Sequence, residues 1–338
     1  MRGILIWAHS KCRSTFGLYR AIRDVAGVPV RIVSHEGIRA NRLSQGQCEA
    51  DFSGIDCPVI GESWETAERI LAETAGYLHL VAAYQVSPTF RKVILAAKKR
   101  GDPVGVISEV PWNSKRGFAR VLWSLYLRTL LRWRVRATVS AADFLVNYSG
   151  DKVETALAIG WTKEKIIPFG YFPPPLAARE GASSTRNGGR FKLLATATKG
   201  RWDRGEKTIR KAVESLGDDV ELILPGFVGM DEVICLYREC DAVVAAGLDE
   251  PWGIRVNDAI NFGKPVVASD GMGARKMVEE TGAGLVFKAG SAVDLAAKMR
   301  ELIANYGKYA VAAQAAIEKI SPETKAKEMV GKFEGLRV

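Results

Sequence analysis

DEPWGIRVNDAINFGKPVVASDG, residues 249–271, compresses a turn, a short helix, a strand and a second turn into one run. Pro251 and Gly253 punctuate the first turn, and the pattern from Ile254 to Phe262 predicts a short helix closed by Gly263. The first N–H groups of such a helix have no internal partners, and together with the helix dipole they attract a diphosphate. Gly253 carries no side chain to hold that ligand off the backbone. Glu250, just outside the helix start, can accept hydrogen bonds from sugar hydroxyls. Asp258, about a turn and a half into the helix, can accept two from a ribose diol. Carboxylates on both sides of a freed backbone suit a ligand with hydroxyls and phosphates, which describes a nucleotide sugar. E-P-W-G alone fits an ordinary strand–turn–helix with a solvated Glu and a surface Asp equally well. The spacing to Asp258 and the following G-K-P-V-V-A-S favour the ligand.

This segment resembles the signature of the retaining glycosyltransferases of family 4, also called group 1. They carry E-P-[aromatic]-G, a second acid eight positions on, then G-x-P-V-V-A-[ST] and a glycine-rich loop. Two departures stand out: Asp258 where the family usually has Glu, and Arg275 and Lys276 where it often has an acid. The resemblance implies an α/β fold of GT-B architecture, two Rossmann-like doubly wound domains facing each other across a cleft. It gives roles to further residues. In TATKGRWDRGEKT (196–208) two cations on a strand-end loop would clamp a diphosphate and stabilise its charge as it leaves. The family's G-R-x(5)-K spacing assigns these roles to Arg201 and Lys207, leaving Arg204 as an extra, unassigned cation. In LILPGFVGMDEVICLYRECDAVVAAG (222–247), Gly226 and Phe227 would flank the base, while Asp241 reads as a structural cap. Donor binding then falls to Gly226, Phe227, Asp258 and the backbone at Trp252, Gly253 and Ile254, which would contact sugar and phosphate, and Glu250 would hold the sugar.

The first domain matches the family mainly in layout. Its glycine-rich loop after strand one corresponds to HSKCRSTFG (9–17), which keeps only Gly17, with Ser14 and Thr15 as small residues. A His or an acid commonly follows the strand matching 104–108, and Glu109 stands there, as a catalytic group or equally as a capping or surface carboxylate. Of the three histidines, His9 at a strand end is assigned with Gly17 to the acceptor side; His35 and His79 read as structural.

The chain has 338 residues, 47% of them hydrophobic, enough for about two domains with real cores. Five cysteines without C-x-x-C spacing read as free thiols in a reducing compartment. MRGILIWAHS, with Gly3–Ala8 as a first strand, does not read as a signal peptide, and no apolar run is long enough to span a membrane. The expectation is a cytoplasmic protein. Strand candidates alternate with helical patterns throughout, which argues for parallel sheets covered on both faces. The expected divisions are an acceptor-side domain over 1–171, a linker and loop over 172–190, and a donor domain over 191–321. A last helix (322–337) would pack back on the first domain. The net charge of +10 is concentrated in residues 1–172, where 24 Lys/Arg face 15 Asp/Glu; in the remainder 24 face 23. Such asymmetry points to a polyanionic surface met by the first half.

KRGFARVLWSLYLRTLLRWRVR (115–136) holds seven Lys/Arg and no acid. A basic, Trp-bearing amphipathic helix can lie in the interface of an anionic membrane. It can also be a core helix whose arginines snorkel to solvent. The charge surplus of this half favours the membrane, on the inner face of the cytoplasmic membrane.

These features together describe a retaining, metal-independent glycosyltransferase without a cofactor. It would move a hexose from a nucleoside-diphosphate sugar to a hydroxyl of a glycan or lipid-linked acceptor, in cell-surface polysaccharide biosynthesis. No metal ligands are assigned, because Asp218-Asp219 sits in a turn before a strand and not at a strand end. The alternatives are a sugar-nucleotide epimerase of the same fold, or a basic nucleic-acid- or membrane-binding protein on an inactive glycosyltransferase scaffold. No nucleic-acid-binding module is recognisable, so no nucleic acid is expected as a partner.

Overall fold

The structure, a computed structural model, describes residues 2–43, 52–109, 111, 117–176, 189–195, 202–226 and 228–335. The chain forms two compact units, Met1–Pro173 with Pro322–Val338, and Pro174–Ser321.

The first unit is built on strands β1 (Ile4–Lys11), β2 (Val30–Ile38), β3 (Leu78–Val81), β4 (Val104–Ser108), β5 (Phe144–Asn147) and β6 (Ile166–Pro168). They form one parallel sheet in the order β2-β1-β3-β4-β5-β6. Ile4, Leu5, Ile6 and Trp7 of β1 are all buried, because helices cover both faces of the sheet; this is why the strand reads as a continuous apolar run. The helices Arg13–Val25 and Pro322–Gly335 pack together, and Phe333 of the latter lies against Phe144 with ring centroids 5.5 Å apart.

Two sequence expectations change here. Strand β1 does not stop at Ala8: it pairs with β2 as far as Lys11, with a register irregularity at Ser10/Lys11. The helix begins at Arg13, so 9–17 is not a phosphate-approaching loop. Gly17 lies inside that helix between the buried Phe16 and Leu18, and cannot bring backbone up to a ligand. The basic segment is also not one regular helix. An α-helix Phe118–Tyr126 passes through a π-helical turn Leu127–Leu131 into a second α-helix, Arg132–Ala141.

The second unit carries β7 (Phe191–Ala195), β8 (Val220–Ile223), β9 (Ala242–Ala245), β10 (Val266–Ser269) and β11 (Gly284–Phe287), all parallel, in the order β11-β10-β9-β7-β8. Successive strands leave β7 on opposite sides, so the strand order reverses between β7 and β9. In such sheets the crevice outside the carboxyl ends at that point is the natural ligand site. Asp241 ties the start of this pair: its Oδ2 accepts from Lys192 N at 2.8 Å, and its own N–H donates to Lys192 O at 2.8 Å. A helix not expected from sequence, Tyr306–Lys319, packs on helix Ile254–Asn261.

His79 on β3 is fully buried, accepts from Trp7 Nε1 at 3.2 Å and has Nε2 3.5 Å from Asp102. Burial pushes its pKa down to about 4, against the pull of Asp102. An unfolded histidine protonates near 6.5, so the unfolded state binds the extra proton between about 6.5 and 4. The stability conferred by neutral His79 is complete above that window and is lost as pH falls through it, by about 3 kcal/mol. Melting temperatures measured from pH 7 to pH 4 should fall steeply for the parent protein and more gently for His79→Gln; equal slopes would contradict this origin.

Candidate functional site

The site grows from three loops at the carboxyl ends of β7, β9 and β10. The loop after β7 ends in Trp202–Arg204 and Gly205, which precede helix Glu206–Glu214. Asp203 O accepts from Leu248 N at 2.8 Å, joining this loop to the one after β9. Gly205 has φ +73, and a Cβ there would overlap the Ala246 carbonyl. A side chain at this position would separate the two loops.

The loop after β9 is held to the loop after β10 along its length. Glu250 N donates to Gly271 O at 2.9 Å, Gly273 N to Glu250 O at 3.2 Å and Ala274 N to Trp252 O at 3.0 Å. Ser269 Oγ donates to Gly247 O. Any Cβ on Gly271 would run into the Leu248 and Gly247 carbonyls. Gly253 then turns the chain with φ +101 and ψ 65, a conformation suited to glycine, and opens helix Ile254–Asn261. Val256 N donates to Gly253 O at 3.0 Å, so the N–H groups of Ile254 and Arg255 are the ones that precede the first bond of the helix, and they stand where the strand order reverses.

Side chains complete the arrangement. Glu250 is paired with Arg204, both partly buried. Trp252 is buried and donates from Nε1 to Asn257 Oδ1 at 2.7 Å, so its ring anchors the turn and is not a surface for stacking a ligand. Asp258 is 6% exposed, with Arg255 Nη1 3.8 Å from its Oδ2. Its charge is also felt by the buried Tyr237, whose hydroxyl pKa rises through burial first and Asp258 second. Lys207 is exposed in the first turn of its helix.

The sequence-derived donor residues thus fall unevenly. Glu250, Gly253, Ile254 and Asp258 lie on one turn and helix, while Lys207 and Arg204 come from the loop and helix that follow β7. Arg204, left unassigned from sequence, is the cation bonded to Glu250; the signal available was only its place in the same basic loop. Gly226 is exposed, with nothing within 4 Å of a Cβ built on it, so sterics do not require glycine there. Arg201 and Phe227 lie outside the described residues. Arg275, one of the departures from the family pattern, opens helix Arg275–Thr281 and donates from Nη1 to Asp270 O at 3.0 Å.

In the first unit, His9 lies within β1 and not beyond its end, and its Nε2 is 2.7 Å from Arg39 Nη2. Burial and then Arg39 lower its pKa. His9, His35 and Glu36 bring three ligand atoms within 4.8 Å of one another, the one group among the described residues that could share a metal. Arg39 already donates to Glu36 from Nε at 2.7 Å, and His35 Nε2 is 2.9 Å from Glu62. Glu109 is exposed and lies beside Tyr171, whose hydroxyl pKa is raised by burial and then by the Glu109 charge. Tyr171 in turn packs on Tyr148 with centroids 4.7 Å apart.

The family described as "Glycosyl transferases group 1" has a model that matches residues 202–319. No curated protein matches the sequence. Among solved structures, the lipopolysaccharide outer core galactosyltransferase WaaB is similar at TM-score 0.65 and 14% identity, over 99% of this chain and 100% of that one. Anabaena HepE in complex with UDP gives 0.64 and 15% over 99% and 100%. A protein of Listeria monocytogenes assigned as a UDP-N-acetylglucosamine 2-epimerase gives 0.57 and 15% over 98% and 96%. The fold is of the GT-B type, as these likenesses show.

The close loop packing predicts opposite outcomes at two glycines. Gly271→Ala should lower stability by about 2 kcal/mol, because two fixed carbonyls must move. Gly226→Ala should stay within about 0.5 kcal/mol of the parent. Denaturant unfolding of both variants checks this, and equal effects would refute it.

Proposed function

We propose that the protein is a glycosyltransferase that takes a hexose from a nucleoside-diphosphate sugar and transfers it, with retention, to a hydroxyl of a glycan or lipid-linked acceptor. The observation that carries the reading is the meeting of Glu250, Arg204 and the open start of helix Ile254–Asn261 at the reversal of strand order in the second unit. The group 1 match over the same residues supports it and weighs against the epimerase reading, which the fold alone leaves open.

In this reading the helix start and Lys207 face the diphosphate, with Arg201 as the second cation. Glu250 accepts from hydroxyls of the donor sugar while Arg204 holds its carboxylate in place. Asp258 accepts from the ribose. Its near-complete burial means that a ribose hydroxyl reaching it would have to replace solvent in a confined space. As the bond to the anomeric carbon breaks, negative charge grows on the β-phosphate. Fixed N–H dipoles and cations stabilise that charge more than they stabilise the bound ground state, and this difference is what accelerates the step. On the acceptor side, Glu109 beside Tyr171, together with His9, is the candidate group for receiving the acceptor; Gly17 is withdrawn. The proposed role is in cell-surface polysaccharide assembly, at the inner face of the cytoplasmic membrane.

The test is release of nucleoside diphosphate from UDP-, GDP- and ADP-sugars with lipid-linked and oligosaccharide acceptors. One donor should be turned over, and Lys207→Ala should reduce its turnover about 100-fold without unfolding the protein. Full activity of Lys207→Ala would sink the assignment. A chelator should leave the rate unchanged, since cations of the chain are proposed to neutralise the diphosphate. Loss of activity that returns on adding Mg²⁺ would overturn the metal-independent part of the proposal.

A further inference from the structure

We infer that the face formed by Phe118, Val121, Leu122 and Leu125, continued by Leu130 and Trp133, is a docking surface for an anionic lipid bilayer. The helix Phe118–Tyr126 contains no buried residue, although its sequence FARVLWSLY is mostly apolar. Phe118, Val121, Leu122 and Leu125 are spaced i, i+3, i+4, i+7, so they share one face, and they are 51–75% exposed. Leu130 and Trp133 extend the apolar surface, 64% and 69% exposed.

The snorkelling explanation holds only for the second half of the segment. There Leu127, Leu131 and Val135, at successive four-residue steps, are buried in the core of the first unit. Trp123 and Tyr126 lean on that core with their rings stacked at 5.2 Å. The π-helical turn Leu127–Leu131 adds a residue to the helical turn. It lies where a helix with no buried residue passes into one with a buried stripe, so the polypeptide carries two apolar surfaces. One is consumed by the fold and the other faces out.

Charge selects the occupant. Arg120, Arg128, Arg132, Arg134 and Arg136 are exposed along the same segment, and 117–140 contains no acid. A second copy of the chain would bring the same arginines against these, and like charges oppose that approach. Nucleic acid would satisfy the arginines but would leave aliphatic side chains against hydrated phosphates. A bilayer satisfies both: aliphatic side chains enter the acyl boundary, the guanidinium groups meet headgroup phosphates, and Trp133 suits the interface between them. Among the described residues no helix is long and apolar enough to cross a membrane, so the inferred attachment lies in the interface. This inference does not depend on the donor site, and binding can be measured without any sugar nucleotide.

The experiment is flotation of the full chain with vesicles of phosphatidylcholine alone and of phosphatidylcholine mixed with phosphatidylglycerol. The parent protein should float with the anionic vesicles and bind them less as salt rises. Leu122→Ser/Leu125→Ser and Arg128→Glu/Arg132→Glu should each weaken binding by about tenfold or more, with unchanged circular dichroism and melting temperature. All four side chains are exposed, so folding is not expected to suffer. The inference is overturned by parent protein that stays with the unfloated fraction, by vesicle binding unaffected by either double substitution, or by a requirement for neither anionic lipid nor low salt. It is equally overturned if the leucine pair abolishes a concentration-dependent dimer and not lipid binding, or if an oligonucleotide at matched salt binds in place of vesicles.

Discussion

Close approach of three backbone loops is the constraint from which the second unit's site follows. The loops after β7, β9 and β10 touch through carbonyls and N–H groups, and side chains are excluded at Gly205 and Gly271 for that purpose. Because main chain contacts main chain, the loops form one body. Arg204 is thereby delivered to Glu250, and Gly253 can aim its helix at the crevice between β7 and β9. The apolar strands beneath are buried on both faces and fix where the loops emerge. Preorganisation of this kind lets fixed dipoles act on developing charge without rearranging first.

The first unit solves a similar problem with side chains. At the corresponding ends of its sheet no glycine-rich turn occurs among the described residues; β1 runs on to Lys11 and passes through Cys12 into a helix. The polar groups that gather there are His9, His35, Glu36 and Arg39 in one place, and Tyr148, Tyr171 and Glu109 in another. Hydrogen bonds between long side chains hold these groups, so they depend on burial and charge more than on backbone shape.

Much of the second unit could be read from sequence because its determinants are local. Pro251, Gly253 and Gly263 mark a turn and both ends of a helix, and PVVAS can only be a buried strand at that length. The role of Trp252 was not legible, since its partner Asn257 lies on the far side of the turn and nothing in the spacing reveals the bond. Arg204 was missed for a related reason: three basic residues share one loop, and only the fold decides which of them meets Glu250. Gly17 failed because β1 gains three residues by pairing with β2, a long-range effect that turns an expected loop into strand and helix. The segment 118–136 divided between its two readings, since periodicity showed an amphipathic pattern but not that two apolar faces were present.

Amide hydrogen exchange of the full chain, with and without the nucleoside diphosphate that stabilises it most, tests the central claim most directly. The account predicts slowed exchange at 253–256 and 270–275, where the helix start and the loop after β10 would enclose the diphosphate. Slowed exchange confined to the first unit, with these amides unchanged, would contradict it.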